Sequence, residues 1–158
     1  MKRIIALFLS LIVIVCSCKK KDKLEGDKEI LVGQWTWLKT NHSYGWCLNE
    51  TLSEVITPTD LGDNFSIQFL SKGKIKLLKN GNLIHTYKIT FDIFEYDTTD
   101  YCSINNSYQF YMTLRSSSAN DYFWGCVNQD TIGCSNLSFP FETQEGCESY
   151  WNYFVRKN

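Results

Sequence analysis

Leu31-Val32-Gly33-Gln34-Trp35-Thr36-Trp37-Leu38-Lys39-Thr40 is where a charged leader gives way to strand-like sequence. Trp35, Trp37 and Lys39 alternate with Thr36, Leu38 and Thr40, the period of two that puts successive side chains on opposite faces of a β-strand. The alternation places Trp35, Trp37 and Lys39 on one face.

Downstream the same period recurs. Phe65, Ile67 and Phe69 alternate with Ser66 and Gln68, and Ile75 and Leu77 alternate with Lys74 and Lys76. Asn80-Gly81 carries the two-residue hairpin signal. Leu83, His85, Tyr87, Ile89, Phe91 and Ile93 then form one apolar face opposite Thr86, Lys88, Thr90 and Asp92. Tyr108, Phe110, Met112 and Leu114 alternate again, followed by strands expected over Asp121 to Val127 and Trp151 to Arg156. Asn41 to Asp63 is a long polar connection, and no amphipathic helix of useful length is predicted. About eight consecutive strands with one apolar face must stack on a second sheet or curl shut. A barrel and a β-sandwich are both compatible with the periodicity.

Upstream, Lys2 and Arg3 precede an apolar run from Ile4 to Val15, too short for the ~20 residues that a membrane-spanning helix needs but suited to a signal peptide. Val15-Cys16-Ser17-Cys18 resembles the lipobox of bacterial lipoproteins, with small Ser17 before the acceptor thiol of Cys18. That resemblance implies a signal peptide over 1–17, a lipidated N-terminus and basic tether over 18–28, and one folded domain over 29–158. It also implies membrane attachment through the N-terminal lipid. Lys19 is not the aspartate of inner-membrane retention, so the resemblance points to the outer membrane.

Of 16 basic residues, removing Lys2 and Arg3 leaves 14 against 17 acidic ones, a formal charge of −3. A mildly acidic domain lacks the basic footprint that nucleic acid requires. After Cys18 there remain Cys47, Cys102, Cys126, Cys134 and Cys147, consistent with two disulfides and one free thiol in an oxidising compartment. Cys126 and Cys134 are close enough in sequence to pair, with Cys147 as a competitor for either. No Cys-X-X-Cys pair occurs and His42 and His85 are the only histidines, so neither a metal nor another cofactor is expected.

Gly33-Gln34-Trp35 resembles the Gly-X-Trp signature that opens the first strand of lipocalins and lipocalin-like bacterial lipoproteins. Tyr153-Phe154-Val155-Arg156-Lys157 is similar to their closing strand. The resemblance favours an all-β, antiparallel up-and-down barrel of about eight strands over the sandwich. It implies a barrel floor in which Arg156 lies across Trp35, and a lid formed by the connection after the first strand. On parity Arg156 goes with Asn152 and Phe154, so if Trp151, Tyr153 and Val155 face inward, a bulge or a strand end is needed for that contact. A small apolar or amphipathic ligand inside such a barrel would meet Lys39, Trp46, Tyr87, Tyr108, Phe110 and Trp124. The competing expectation is a structural or interaction lipoprotein whose interior is filled by these aromatics.

No nucleophile elbow, zinc-protease helix or phosphate-binding glycine loop occurs, so no catalytic residue is assigned and an enzyme is not expected. His85 fits a core histidine, and Asp97 and Asp100 fit a solvated loop. Asp97-Thr98-Thr99 and Asp130-Thr131-Ile132 resemble the acceptor triplet for O-glycosylation in one group of Gram-negative exported proteins, which would place sugar on Thr98 and Thr131.

Overall fold

The computed structural model describes residues 23–44, 52–97, 102, 104–116, 120–135 and 148–157. A 3-10 helix (Gly26–Leu31) leads into β1 (Gly33–Tyr44), then β2 (Leu52–Ile56) and the short helix α1 (Pro58–Leu61). A run of hairpins follows: β3 (Phe65–Leu70), β4 (Lys74–Lys79), β5 (Asn82–Tyr96), β6 (Tyr108–Arg115), β7 (Asn120–Val127), β8 (Thr131–Ser135) and β9 (Glu148–Arg156). Every pairing is antiparallel, and β9 returns to β1, closing an eight-stranded barrel with β2 as one extra strand. β1 carries β9 along one side, while β3 and β2 share its other side in succession. The sandwich alternative is thereby excluded.

The Asn80-Gly81 turn sits between β4 and β5 with both residues at positive φ, 52° and 80°, as a tight hairpin demands. The connection expected to be a loop from Asn41 to Asp63 is partly regular: β1 runs on to Tyr44, and β2 and α1 follow. α1 starts at a cap in which the Thr57 backbone N–H and hydroxyl both donate to Asp60 Oδ2 at 2.7 Å. The fold also begins earlier than residue 29. Leu24 is buried in the core and its N–H donates to Ser71 O across the β3–β4 turn.

Three register shifts rewrite the facing of side chains. Between Trp37 and Lys39 the β1–β9 register slips by one residue at Leu38. Trp35 and Trp37 therefore point inward with Thr40, whereas Lys39 turns outward and lies 5.1 Å from the Tyr153 ring. A second shift, between Leu77 and Leu78, leaves Ile84 unpaired, with Leu83 and Ile84 both exposed. A third, at Asp92, puts Ile93 on the outside and Phe94 inside, so the inward face of β5 ends at Phe91 and resumes at Phe94. Each bulge reverses the parity downstream of it.

Cys126 and Cys134 do not pair. Cys126 lies opposite Gly133 on the outer face, while Cys134 belongs to the inner core, so the barrel wall separates them. Cys102 reaches Cys126 instead, forming a disulfide that staples the β5–β6 connection to the outside of β7. Cys134 is a free, buried thiol. Cys18, Cys47 and Cys147 lie outside the described residues.

Candidate functional site

The floor is built from both ends of the chain. Trp35 is fully buried and its indole N–H donates to Leu31 O at 2.8 Å, tying β1 to the 3-10 helix. The Arg156 guanidinium lies 4.2 Å from the Trp35 ring centroid. Its Nε donates to Gln129 O at 2.7 Å, its Nη1 to Val32 O at 3.0 Å and its Nη2 to Ile30 O. No bulge is needed in β9, because Asn152 and Phe154 are the fully buried side chains and Trp151, Tyr153 and Val155 face outward. Gly33 explains its own place in the triplet. Its φ is +133°, and a Cβ there would sit 3.2 Å from Arg156 Nη1.

Among the described residues the inner core is densely packed. Trp35, Ile67, Ile75, Met112, Phe123, Ile132 and Phe154 have no accessible surface, and Trp37, Phe69, Ile89 and Leu114 retain only 1%. A cavity large enough for water would leave accessible surface on its walls, so these side chains pack against one another. Phe110 meets Phe123 at 5.3 Å, and Trp37 meets Phe65 edge-on at 5.6 Å. Such contacts supply the dispersion and area burial that stabilise a core.

One polar chain is enclosed in this packing. Trp37 Nε1 donates to Thr40 Oγ1 at 3.0 Å, and Thr40 Oγ1 donates to Asn152 Oδ1 at 2.5 Å. Both Thr40 and Asn152 are fully buried, and Asn152 Nδ2 has no hydrogen-bond partner among the described residues. Cys134 Sγ donates to Asn152 O at 3.6 Å, and burial pushes that thiol well above its ordinary pKa. Farther along β1, His42 Nδ1 lies 2.9 Å from Glu54 Oε1 and its ring stacks on Tyr150 at 4.4 Å. His42 is thus held inside paired strands rather than at a loop edge.

The outer wall presents a row of rings. Ile93, Tyr111 and Trp124 stand side by side on β5, β6 and β7, each opposite the next in register. Tyr122 stacks on Tyr111 at 5.9 Å, and Trp124 meets Trp151 edge-on at 4.9 Å. Gly133 makes room for this arrangement, since a Cβ there would lie 2.9 Å from Trp151 Nε1 and 3.1 Å from Ile104 Cδ1. Ile93, Gln109, Phe110, Tyr111, Trp124 and Gly125 line a groove of about 380 Å³.

The residues singled out as ligand-lining therefore divide. Phe110 and Tyr108 face the core, with Tyr108 only partly buried against Phe94 at 5.2 Å. Tyr87 is half-buried beside His85 at 4.2 Å, and burial followed by the nearby Asp121 charge raises its pKa. Lys39 and Trp124 cannot line the interior, because the Leu38 bulge turns the first outward and the regular register of β7 gives the inner face to Phe123. Trp46 and Thr98 lie outside the described residues. Thr131 is partly exposed at the start of β8, with its N–H bonded to Asn128 Oδ1 at 2.8 Å. Sequence reasoning missed the Thr40–Asn152 pair and the outer ring row. For the row a signal existed, since Phe110-Tyr111 and Tyr122-Phe123-Trp124 put aromatics on both parities. Among the described residues no group of three or more His, Cys, Asp or Glu is arranged to hold a metal ion. The chain matches no known protein-family model, no characterised protein and no solved structure.

Proposed function

We propose that this chain is a non-enzymatic, lipid-anchored envelope protein whose barrel is a filled scaffold and whose contacts are made by its outside. The observation that carries this reading is the dense packing of the described inner core, where Trp35, Ile67, Met112, Phe123 and Phe154 keep no accessible surface, while Tyr87, Phe91, Phe94 and Tyr108 are partly buried around it. A carrier of apolar molecules needs a concave, largely preformed cavity, whereas the described core is packed with tryptophan, phenylalanine and isoleucine. The Gly33-Gln34-Trp35 triplet and the Arg156 stack support kinship with lipocalin-like lipoproteins. Cys18 is the lipid attachment site in this reading, with the outer membrane as location.

Titration of the folded domain with an environment-sensitive apolar dye, N-phenyl-1-naphthylamine, tests the filled interior. No saturable signal is expected. Stoichiometric, saturable binding that a Tyr87 substitution weakens would restore the alternative, a small apolar or amphipathic ligand held in the barrel.

A further inference from the structure

We infer that the outer face of β5, β6 and β7 is a binding platform for a neutral saccharide. This goes beyond the scaffold reading and does not depend on the lipid anchor. The first observation is the bulge at Asp92. Without it Ile93 would follow the alternation of β5 into the core. With it, a large apolar side chain is turned to solvent, 47% exposed, directly opposite Tyr111. Bulges that re-aim a side chain recur beside binding and active sites.

The second observation is what borders the row. On one side Gln109 Nε2 donates to Glu95 Oε1 at 2.6 Å, and on the other Thr113 Oγ1 donates to Asp92 Oδ2 at 3.0 Å. Both pairs follow from the register that aligns Ile93, Tyr111 and Trp124. The result is a strip of apolar and aromatic surface between two rows of amide, hydroxyl and carboxylate groups. A sugar ring has that same division: a C–H face that lies on an aromatic ring and a rim of hydroxyls that both donate and accept. Ile93 and Trp124 are two strand spacings apart, about 10 Å, the reach of a short oligosaccharide. The groove between them, about 380 Å³, accommodates one.

Charge selects among occupants. The carboxylates of Asp92 and Glu95 directly flank the strip, with Lys88 and Arg115 opposite each other farther along β5 and β6, so the strip itself disfavours acidic polymers while neutral hydroxyls find acceptors. Tyr122, 51% exposed and stacked on Tyr111, extends the platform along β7.

Affinity electrophoresis of the oxidised, folded domain through gels containing soluble neutral glucan, xylan or galactomannan tests the assignment. Retardation by at least one polymer is expected, weakened about tenfold in Trp124→Ala. If Trp124→Ala fails to fold, Tyr111→Ser and the half-exposed Tyr122→Ala take its place and should show the same direction. Lys39→Ala, outward on β1 and away from the strip, should be retarded by polymer, relative to its own mobility in a polymer-free gel, to the same degree as the parent chain. The inference is overturned by normal migration of the parent in all three gels, or by retardation that survives Trp124→Ala and Tyr111→Ser. Self-association that disappears in Tyr122→Ala, without retardation of the parent by any polymer, would assign the face to a second copy and also overturn it.

Discussion

Replacing Arg156 by alanine removes a side chain that joins the end of β9, the β7–β8 turn, the 3-10 helix and the first strand. Three hydrogen bonds go, to Gln129 O, Val32 O and Ile30 O, together with the stack on Trp35. Hydrogen bonds to charged groups contribute ~1.5–3 kcal/mol each and a cation–π contact ~0.5–2 kcal/mol. The guanidinium is only partly buried, so water competes for the carbonyls and the low ends apply. Rehydration of the released carbonyls reduces the sum further, leaving about 3–4 kcal/mol for Arg156→Ala. Arg156→Lys keeps the charge but not the planar fork, and should recover about half of this. In urea unfolding, where a domain of this size has a slope of ~1–3 kcal/mol/M, Arg156→Ala should lower the midpoint by about 2 M. Combined with Trp35→Phe in a double-mutant cycle, it should show a coupling of at least ~0.5 kcal/mol. A midpoint shift too small to measure, or strict additivity, would refute the picture of a pinned floor.

Converting Cys102 and Cys126 to serine together opens a loop with a sequence separation of 24 and should cost about 3.5 kcal/mol by loop entropy; equal unfolding midpoints for the oxidised parent and the double variant would contradict this. Cys134, buried with its thiol pushed up, should resist a thiol reagent in native buffer and react at once in denaturant; fast native labelling would show that the inner core opens readily. The Asp63 carboxylate is held below its ordinary pKa by hydrogen bonding from Lys79 and then Asn80, and Asp60 by Thr57. Both then stabilise the fold fully above the unfolded value, ~pH 4, and lose that contribution as pH falls through the lower native values, so Asp63→Asn should flatten the acid limb of stability against pH. An unchanged limb would argue that the Lys79 bridge is without weight. Cys18→Ala should abolish lipid attachment in the native host, and mass spectrometry finding the lipid elsewhere on the chain would move the acceptor.

The strands themselves were legible because alternation is a local property: β3, β4 and β6 appear in the sequence with nearly their observed bounds. The contact of Arg156 with Trp35 was expected from the Gly-X-Trp resemblance rather than from periodicity, and the guanidinium lies 4.2 Å from the ring centroid. What a period of two cannot carry is an interruption of itself. Leu38, Ile84 and Asp92 are ordinary strand residues, and nothing in their neighbours announces that the partner strand will skip them. Hence Lys39 and Ile93 were placed on the wrong face. β8, only five residues with a glycine inside, gives too few alternations to register. The disulfide partner of Cys126 depends on where the β5–β6 connection folds over the wall, a long-range event with no local trace. Trp124 was legible as an aromatic of β7 but not as an outward one.

The way the first residues enter the barrel has a mechanical consequence. A pull applied at Lys23 reaches Leu24, whose N–H is held by the β3–β4 turn, and then the 3-10 helix, whose Ile30 and Leu31 carbonyls are gripped by Arg156 and Trp35. Arg156 passes the load to the β7–β8 turn and to β9. Force at the N-terminal end is thus spread over three separate anchor points before it can begin to strip β1 from its neighbours. Beyond the floor, β1 would have to part from β3 and β9 together, because it is zipped on both sides. A load entering at the leading end therefore meets the pinned floor before any strand can peel.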